Sequence, residues 1–295
     1  MTLFKTNDFY ASNEFKQLIS HQVQTALDED IGTGDLTAQL VPATQLAHAT
    51  IIVREPAIIC GIAWVNACFK KIDTKVEVIW HVTEGERVAA NKIICEINGL
   101  ARSLLTGERC ALNFLQTLSA TATETGKYVE AIAGTQAQIL DTRKTIPNLR
   151  LAQKYAVTVG GGHNQRLALY DGILIKENHI TAAGSIAAVM TKAFTLNAEL
   201  GTNTSIQIEV ENLSQLQEAL SARASSILLD NFNLALLTEA VKINQKAGKL
   251  AILEASGGIT LDNVRTIALT GVDRISIGAI TKSVQAVDFS MLIDT

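Results

Sequence analysis

Along the second half of the chain, short β-branched or aliphatic runs recur, and each ends in polar or charged residues: GILIKEN, SIQIEVEN, SSILLDN, LAILEASGG and VDRISIGA. Such runs, bounded by turn-forming residues, predict strands. Between them lie stretches with apolar residues at helical spacing, NLSQLQEALSARA, NLALLTEAVKINQKAGK and TLDNVRTIALTG. Asn212, Asn233 and Thr260 stand where helix N-caps belong, because their side-chain oxygens can take an orphan N–H of the first turn. Gly248 and Gly271 stand where C-caps are expected, since glycine turns left-handed without a Cβ clash.

From Glu209 to Asp230, Glu254 and Gly278 the steps are 21, 24 and 24 residues. That is the length of one strand and one returning helix, the crossover that joins parallel strands. From about Gln138 onward the pattern therefore predicts a parallel α/β structure. No GxGxxG follows the first strand and no GxxxxGK[ST] occurs, which favours a barrel over a nucleotide-binding doubly wound sheet.

The first hundred residues follow another rhythm. HATIIVRE and KVEVIWHV alternate as strands, and TEGERV marks a glycine-centred turn. GERCALNFLQTLSATATETGKYVEAIA predicts one long helix, apolar at spacings of three and four. We expect a smaller α+β domain over residues 1–115 and an α/β barrel over residues 116–295, joined by this helix. The last residues are expected to pack back on the first domain.

Composition narrows the class. A chain of 295 residues with 47% hydrophobic residues and only 3 prolines is a folded α/β composition. A net charge of −4 argues against nucleic acid as a partner, so any anionic ligand must be held by a local cluster of cations. The opening MTLFKTNDFYASNEF interleaves charges with apolar residues and predicts no secretory signal. AIICGIAWVNACF is too short and interrupted to span a membrane. Cys60, Cys68, Cys95 and Cys110 form no CxxC pair and read as buried reduced thiols, which fits a cytoplasmic protein.

In an α/β barrel the chemistry sits at the C-terminal ends of the strands, where the loops converge. Reading those ends gives Arg143 and Lys144 after AQIL, then Lys176, Glu177, Asn178 and His179. Glu209 and Glu211, Asp230 and Asn231, Glu254 with Ser256-Gly257-Gly258, and Ser276 with Gly278 follow. Cations thus occupy the early strands, carboxylates the middle ones and small residues the last two. Glycines after the final strands let backbone N–H groups approach a phosphate. Glu209 and Asp230 suit Mg²⁺, or else pair with Lys176 or Arg143 in the barrel mouth. Lys144 or Lys176 would serve as a Schiff-base lysine only if desolvated, and neighbouring carboxylates oppose that. GGGHNQR, Gly160 to Arg166, implies a tight turn or close backbone approach, ending in an arginine suited to a carboxylate or phosphate.

The stretch DTRKTIPNLRLAQKYAVTVGGGHNQRLALYDGILIKENHI resembles the central signature of the quinolinate phosphoribosyltransferase (decarboxylating) family. EDIGTGDLT, REPAIICGI, LTGERCALNFLQTLSATAT, IEVEN, ILLDNF, LEASGGI and GVDRISIGAIT extend the likeness over nearly the whole chain. The resemblance implies an N-terminal α+β sandwich followed by an incomplete parallel, TIM-like barrel. It implies transfer from 5-phosphoribosyl 1-diphosphate to quinolinate, giving nicotinate mononucleotide, diphosphate and CO2 for NAD synthesis, with Mg²⁺. It also implies a homodimer or larger assembly with shared active sites. By the same resemblance Arg143 and Arg166 hold the quinolinate carboxylates, and Arg109 serves a partner subunit's site. Lys144 and Lys176 lie at carboxylate and phosphate groups, and Glu209 and Asp230 near the ribose and metal. Ser256, Gly257 and Gly258, with Ile277, Gly278 and Ala279, hold the 5-phosphate, and Thr142 and Gln165 complete the substrate-binding set. One position departs: the family reads GGGxNHR, and this chain has Gln165 where the histidine stands, with His163 two residues earlier. A related homologue associated with molybdenum transport shares much of the signature, but the full set of cations favours the transferase.

Overall fold

The protein is described from a computed structural model covering residues 9–201 and 204–294. The opening residues 1–8, part of the segment read above as no secretory signal, lie outside the described residues. The chain divides into two compact units.

One unit takes in the described residues up to Gly126, together with Ile146–Gly161 and Ile280 onward. It contains α1 (Asn13–Ile31), β1 (Leu46–Val53), β2 (Ala57–Ile58), α2 (Ile62–Ile72), β3 (Glu77–Trp80), β4 (Arg87–Val88) and β5 (Ile93–Leu100). The long helix α3 (Ala101–Ala131) begins here and runs on past the unit's boundary. Its sheet is antiparallel in the order β12-β1-β5-β3, with β12 (Phe289–Asp294) pairing along β1 from Val53↔Phe289 to His48↔Asp294. Alternate residues of β1, Ala49, Ile51 and Val53, are fully buried, the period of two expected of a sheet with one covered face. Trp64 is buried in a cluster with Phe15 and Tyr155, and its indole Nε1 donates to Gln22 Oε1 at 2.9 Å. The four cysteines are free and buried, and burial pushes the Cys68 and Cys95 thiols up to about 12.

The other unit comprises Lys127–Thr145 and Gly162–Ala279. Its six parallel strands are β6 (Gln138–Leu140), β7 (Gly172–Ile175), β8 (Ser205–Val210), β9 (Ser226–Asp230), β10 (Ile252–Ser256) and β11 (Arg274–Ser276), in the order β6-β11-β10-β9-β8-β7. The crossovers carry α5 (Glu177–Ala183), α6 (Ile186–Glu199), α7 (Leu213–Ser221), α8 (Leu234–Lys246) and α9 (Leu261–Ala268); α4 (Arg150–Val159) and α10 (Ala279–Lys282) complete the helices described. Asn212 and Asn233 cap α7 and α8, accepting from Gln215 N and Leu236 N at 2.9 Å. Thr260 heads α9. The glycines fall beyond the places expected of them: the C-caps are Ala247 and Leu269, with left-handed Gly248 one residue and Gly271 two residues further on.

Register explains the polar strand ends. One face of the sheet carries Ile139, Ile275, Ala255, Leu253, Leu229, Ile227, Ile208 and Val210, all at most 2% exposed. The opposite parity aligns Gln138, Arg274, Glu254, Leu228 and Glu209 in one row and Leu140, Ser276, Ser256 and Asp230 in the next, nearer the C-terminal ends. The sheet thus has a uniformly apolar face for its helices and a largely polar face turned inward.

The edge strands β6 and β7 do not pair with each other. The segment from His163 to Arg166 touches both. His163 bridges to Leu140, with its N–H donating to Ile139 O at 2.8 Å, and Arg166 Nη1 donates to Gly172 O at 2.9 Å. An irregular segment takes the place of a further strand. Upstream, Gly160 passes so close to Ala122 that a Cβ there would strike its carbonyl oxygen.

Candidate active site

Thr142, Arg143, Lys144, Gln165, Arg166, Lys176, Glu209, Asp230, Ser256, Gly257, Gly258, Ile277, Gly278 and Ala279 all belong to the parallel-sheet unit; all but two lie at or just after the C-terminal ends of its strands, and Gln165 and Arg166 lie on the closing segment, where Arg166 meets Gly172 at the start of β7. Arg109 belongs to the other unit. It is exposed on α3, 3.9 Å from Glu108.

The end of β6 turns outward at Asp141. This carboxylate is fully buried and accepts from Gln165 N (2.8 Å) and Asn164 Nδ2 (2.7 Å), tying the strand end to the closing segment. The next residues therefore project from a fixed anchor. Lys144 N donates to Thr142 Oγ1 at 3.0 Å. The Lys144 stem lies over Gly278, where a Cβ would sit 3.1 Å from its Cδ and 3.6 Å from Thr142 Oγ1. Ile277 is buried and contributes its backbone, its N–H donating to Leu140 O.

Arg143 and Arg166 are close enough to repel. Burial, and then the positive charge of Arg143, hold the Arg166 guanidinium below its ordinary value, with Asp171 opposing. Two half-buried guanidinium groups within range of each other's charge suit an anion better than a second cation.

Lys176 ends β7 and donates from Nζ to Glu209 Oε2 at 2.9 Å, with the lysine side chain 45% exposed and the glutamate 12%. This ion pair is the alternative to a metal role for Glu209. A lysine paired with a carboxylate and half exposed lacks the apolar, unpaired setting that Schiff-base chemistry requires. Lys176 N also donates to Nδ1 of His179 at 3.0 Å, which makes Nδ1 the unprotonated nitrogen.

Asp230 ends β9 and accepts from Asn231 Nδ2 through Oδ2 at 2.8 Å. Asn231 is left-handed at φ 56°, and its amide oxygen presses on Gly257, leaving no room there for a Cβ. Gly257 and Gly258 are themselves left-handed (φ 97° and 61°), which glycine accommodates without strain. Asp230 and the SGG loop are therefore locked together through one asparagine.

Inside the barrel, Gln165 reaches Gln207 Oε1 (2.8 Å) and both oxygens of Glu254 (3.0 Å each), and Gln207 Nε2 reaches Glu254 Oε2 (2.9 Å). His163 does not take the place of the missing histidine in this network. Partial burial of its ring, and then Arg274, hold it below its ordinary value, so it is neutral near pH 7. Asn231 stands among the strand-end residues read from the sequence, but its tie to Gly257 does not show there; Asp141 and Gln207 are not among those residues. Gln207 had a signal, since it stands two residues before Glu209 on the same strand face. Asp141 acts across the chain and left none beyond adjacency.

The profile of the quinolinate phosphoribosyl transferase C-terminal domain matches residues 121–292, and that of the N-terminal domain residues 35–119. The chain belongs to the quinolinate phosphoribosyl transferase family. Within it, the chain is 41% identical over 278 residues to a probable nicotinate-nucleotide pyrophosphorylase [carboxylating] of Bacillus subtilis, covering 94% of this chain and 93% of that protein. It is 38% identical to the Mycobacterium leprae nicotinate-nucleotide pyrophosphorylase [carboxylating], covering 91% and 95%. The structure of the nicotinate-nucleotide pyrophosphorylase from Francisella tularensis superposes with a TM-score of 0.90 at 44% identity, covering 95% of this chain and 97% of that one. The two-part α/β fold inferred from the sequence is the fold of this quinolinate phosphoribosyl transferase relative.

Proposed function

We propose that the protein transfers the phosphoribosyl group of 5-phosphoribosyl 1-diphosphate to quinolinate with loss of CO2, giving nicotinate mononucleotide and diphosphate in NAD biosynthesis. Family membership supports the reaction class. The observation that carries the assignment to this site is the gathering of Arg143, Lys144, Arg166 and Lys176 on the loops and closing segment of one parallel sheet in a chain of net charge −4, with the charge of Arg143 acting on Arg166. A dicarboxylate relieves that repulsion, and in a partly desolvated site the gain exceeds its value in water.

The ring nitrogen attacks C1 of the ribose, and the C–O bond to diphosphate breaks with its electron pair. Positive charge develops on the sugar, and Glu209 and Asp230 stand where carboxylates stabilise it. The adjacent carboxylate then departs as CO2 and leaves its bonding electron pair on the ring carbon, where the positive ring nitrogen stabilises it until solvent returns a proton to that carbon. Lys144 and Lys176 hold phosphate oxygens, and the N–H groups of the 256–258 and 277–279 loops hold the 5-phosphate. Arg109 serves the site of a partner copy in a homodimer working in the cytoplasm. Glu209 and Asp230 offer the oxygen donors that suit Mg²⁺, which neutralises charge on the diphosphate when bound. Among the described residues no group of three or more His, Cys, Asp or Glu could hold a metal ion, so water and substrate oxygens would supply the rest of its shell.

The test supplies purified protein with Mg²⁺, 5-phosphoribosyl 1-diphosphate and either quinolinate or nicotinate, and measures nicotinate mononucleotide and CO2. Turnover with quinolinate is expected. Turnover with nicotinate alone, or with neither, refutes the assignment.

A further inference from the structure

We propose that Glu254, acting through the amide of Gln165, positions Arg166 for a substrate carboxylate, and that Gln165 itself donates nothing to the substrate. The proposal rests on the phosphoribosyl transfer reading and assigns new roles within that site.

Glu254 is fully buried on the inner face of β10. The amides of Gln165 and Gln207 both point nitrogen at it, at 2.9 to 3.0 Å. Both carboxylate oxygens accept here, and turning either amide over would set oxygen against oxygen. Glu254 therefore dictates both orientations. One N–H of Gln165 goes to Glu254 and the other to Gln207 Oε1, so both donors are used. Its Oε1 is left facing Arg166 N, which donates to it at 2.7 Å.

Asp141 grips the same residue from its backbone side through Gln165 N, and Gly172 O takes Nη1 of Arg166. Arg166 is thereby fixed at both its main chain and its guanidinium. Releasing a Gln165 N–H to a substrate would strip a buried carboxylate of a donor, an exchange that costs more than one exposed hydrogen bond returns. Gln165 is a positioning residue, and Glu254 is the charge that orients it.

The experiment measures kcat and both KM values for Glu254→Gln, Gln165→Ala and the double variant, with calorimetric titration of quinolinate alone. Each single variant is expected to raise the quinolinate KM and dissociation constant about tenfold, with the 5-phosphoribosyl 1-diphosphate KM within about twofold. The double variant is expected to be no worse than the poorer single one, because the residues act in series. Multiplicative losses, or an effect of Gln165→Ala without one of Glu254→Gln, mean that Gln165 contacts substrate directly and overturn the proposal. Equal losses toward both substrates overturn it as well. Gln207→Leu, which removes the second donor and keeps Glu254, gives the same discrimination should Glu254→Gln fail to fold. Absence of quinolinate turnover in the unaltered protein refutes the function itself; turnover there with unchanged variants refutes only the Glu254 assignment.

Discussion

Replacing Gly278 with alanine separates a phosphate-site glycine from an ordinary turn. Gly278 is not among the glycines with positive φ, so alanine meets no backbone penalty there and reports space alone. The new Cβ would lie 3.1 Å from Lys144 Cδ and 3.6 Å from Thr142 Oγ1. Ordinary carbon contacts settle at ~3.5–4.0 Å, so the lysine stem must retreat by roughly 0.5 Å. Lys144 is exposed and flexible, so the move costs less than the ~1–3 kcal/mol typical of an overfilled core. The thermal midpoint should fall by no more than about 4 °C. Catalysis is less forgiving, since a misplacement of ~1 Å can cost ~100-fold. Half that shift, with a methyl group set where a phosphate oxygen must approach, predicts about a tenfold loss in kcat/KM for 5-phosphoribosyl 1-diphosphate. The quinolinate KM should stay within about threefold. Steady-state kinetics varying each substrate in turn, beside thermal unfolding, provide the check. An unchanged kcat/KM for 5-phosphoribosyl 1-diphosphate would remove Lys144 and Gly278 from the phosphate site.

Lys176→Met strands Glu209, which is only 12% exposed. The loss falls between that of an exposed pair and that of a buried one, about 2 kcal/mol, and the thermal midpoint should drop by about 4–8 °C. Adding Glu209→Gln should recover most of the drop, and an unchanged midpoint in the single variant would mean that the pair contributes nothing. His163, whose folded-state value is depressed by burial and Arg274, contributes stability present above its ordinary value of 6.5 and lost as pH falls below it, because the unfolded chain takes the proton first. Its ring resonances should titrate with a midpoint below 6.5; a midpoint at or above that value would show that the imidazole is not shielded.

Much of this architecture was legible because the strands repeat. The steps from Glu209 to Asp230, Glu254 and Gly278 measure β–α units, and once they are read as parallel strands the residues at their ends must share one rim. The caps at Asn212 and Asn233 follow from local chemistry alone. What stayed hidden was long-range. Asp141 reads as one more charge after a strand, yet it is buried and grips residues 23 and 24 positions later. Asn231 reads as the neighbour of Asp230 at a strand end, yet it also joins Asp230 to the SGG loop. GGGHNQR could be taken for a mobile loop with an exposed arginine, because its bridges to β6 and β7 depend on the sheet being open at those edges. No periodicity encodes that.

Depth along the inner face decides what each carboxylate does. Glu254 has no exposure and gives its charge to amides of its own chain. Glu209, slightly exposed, gives its charge to Lys176. Asp230, nearer the rim and half-buried, is steadied through one oxygen by its neighbour Asn231. On the proposed function, an arriving anion would compete for the exposed Lys176 and leave the interior network intact. Exchanging one ion pair at the rim needs little reorganisation of the barrel, and low reorganisation lets fixed charges act at full strength on a developing cation. A chain with an excess of acid can hold a polyanion for this reason: its deeper carboxylates are already neutralised or solvated by protein, and the cations of the rim are what the substrate meets.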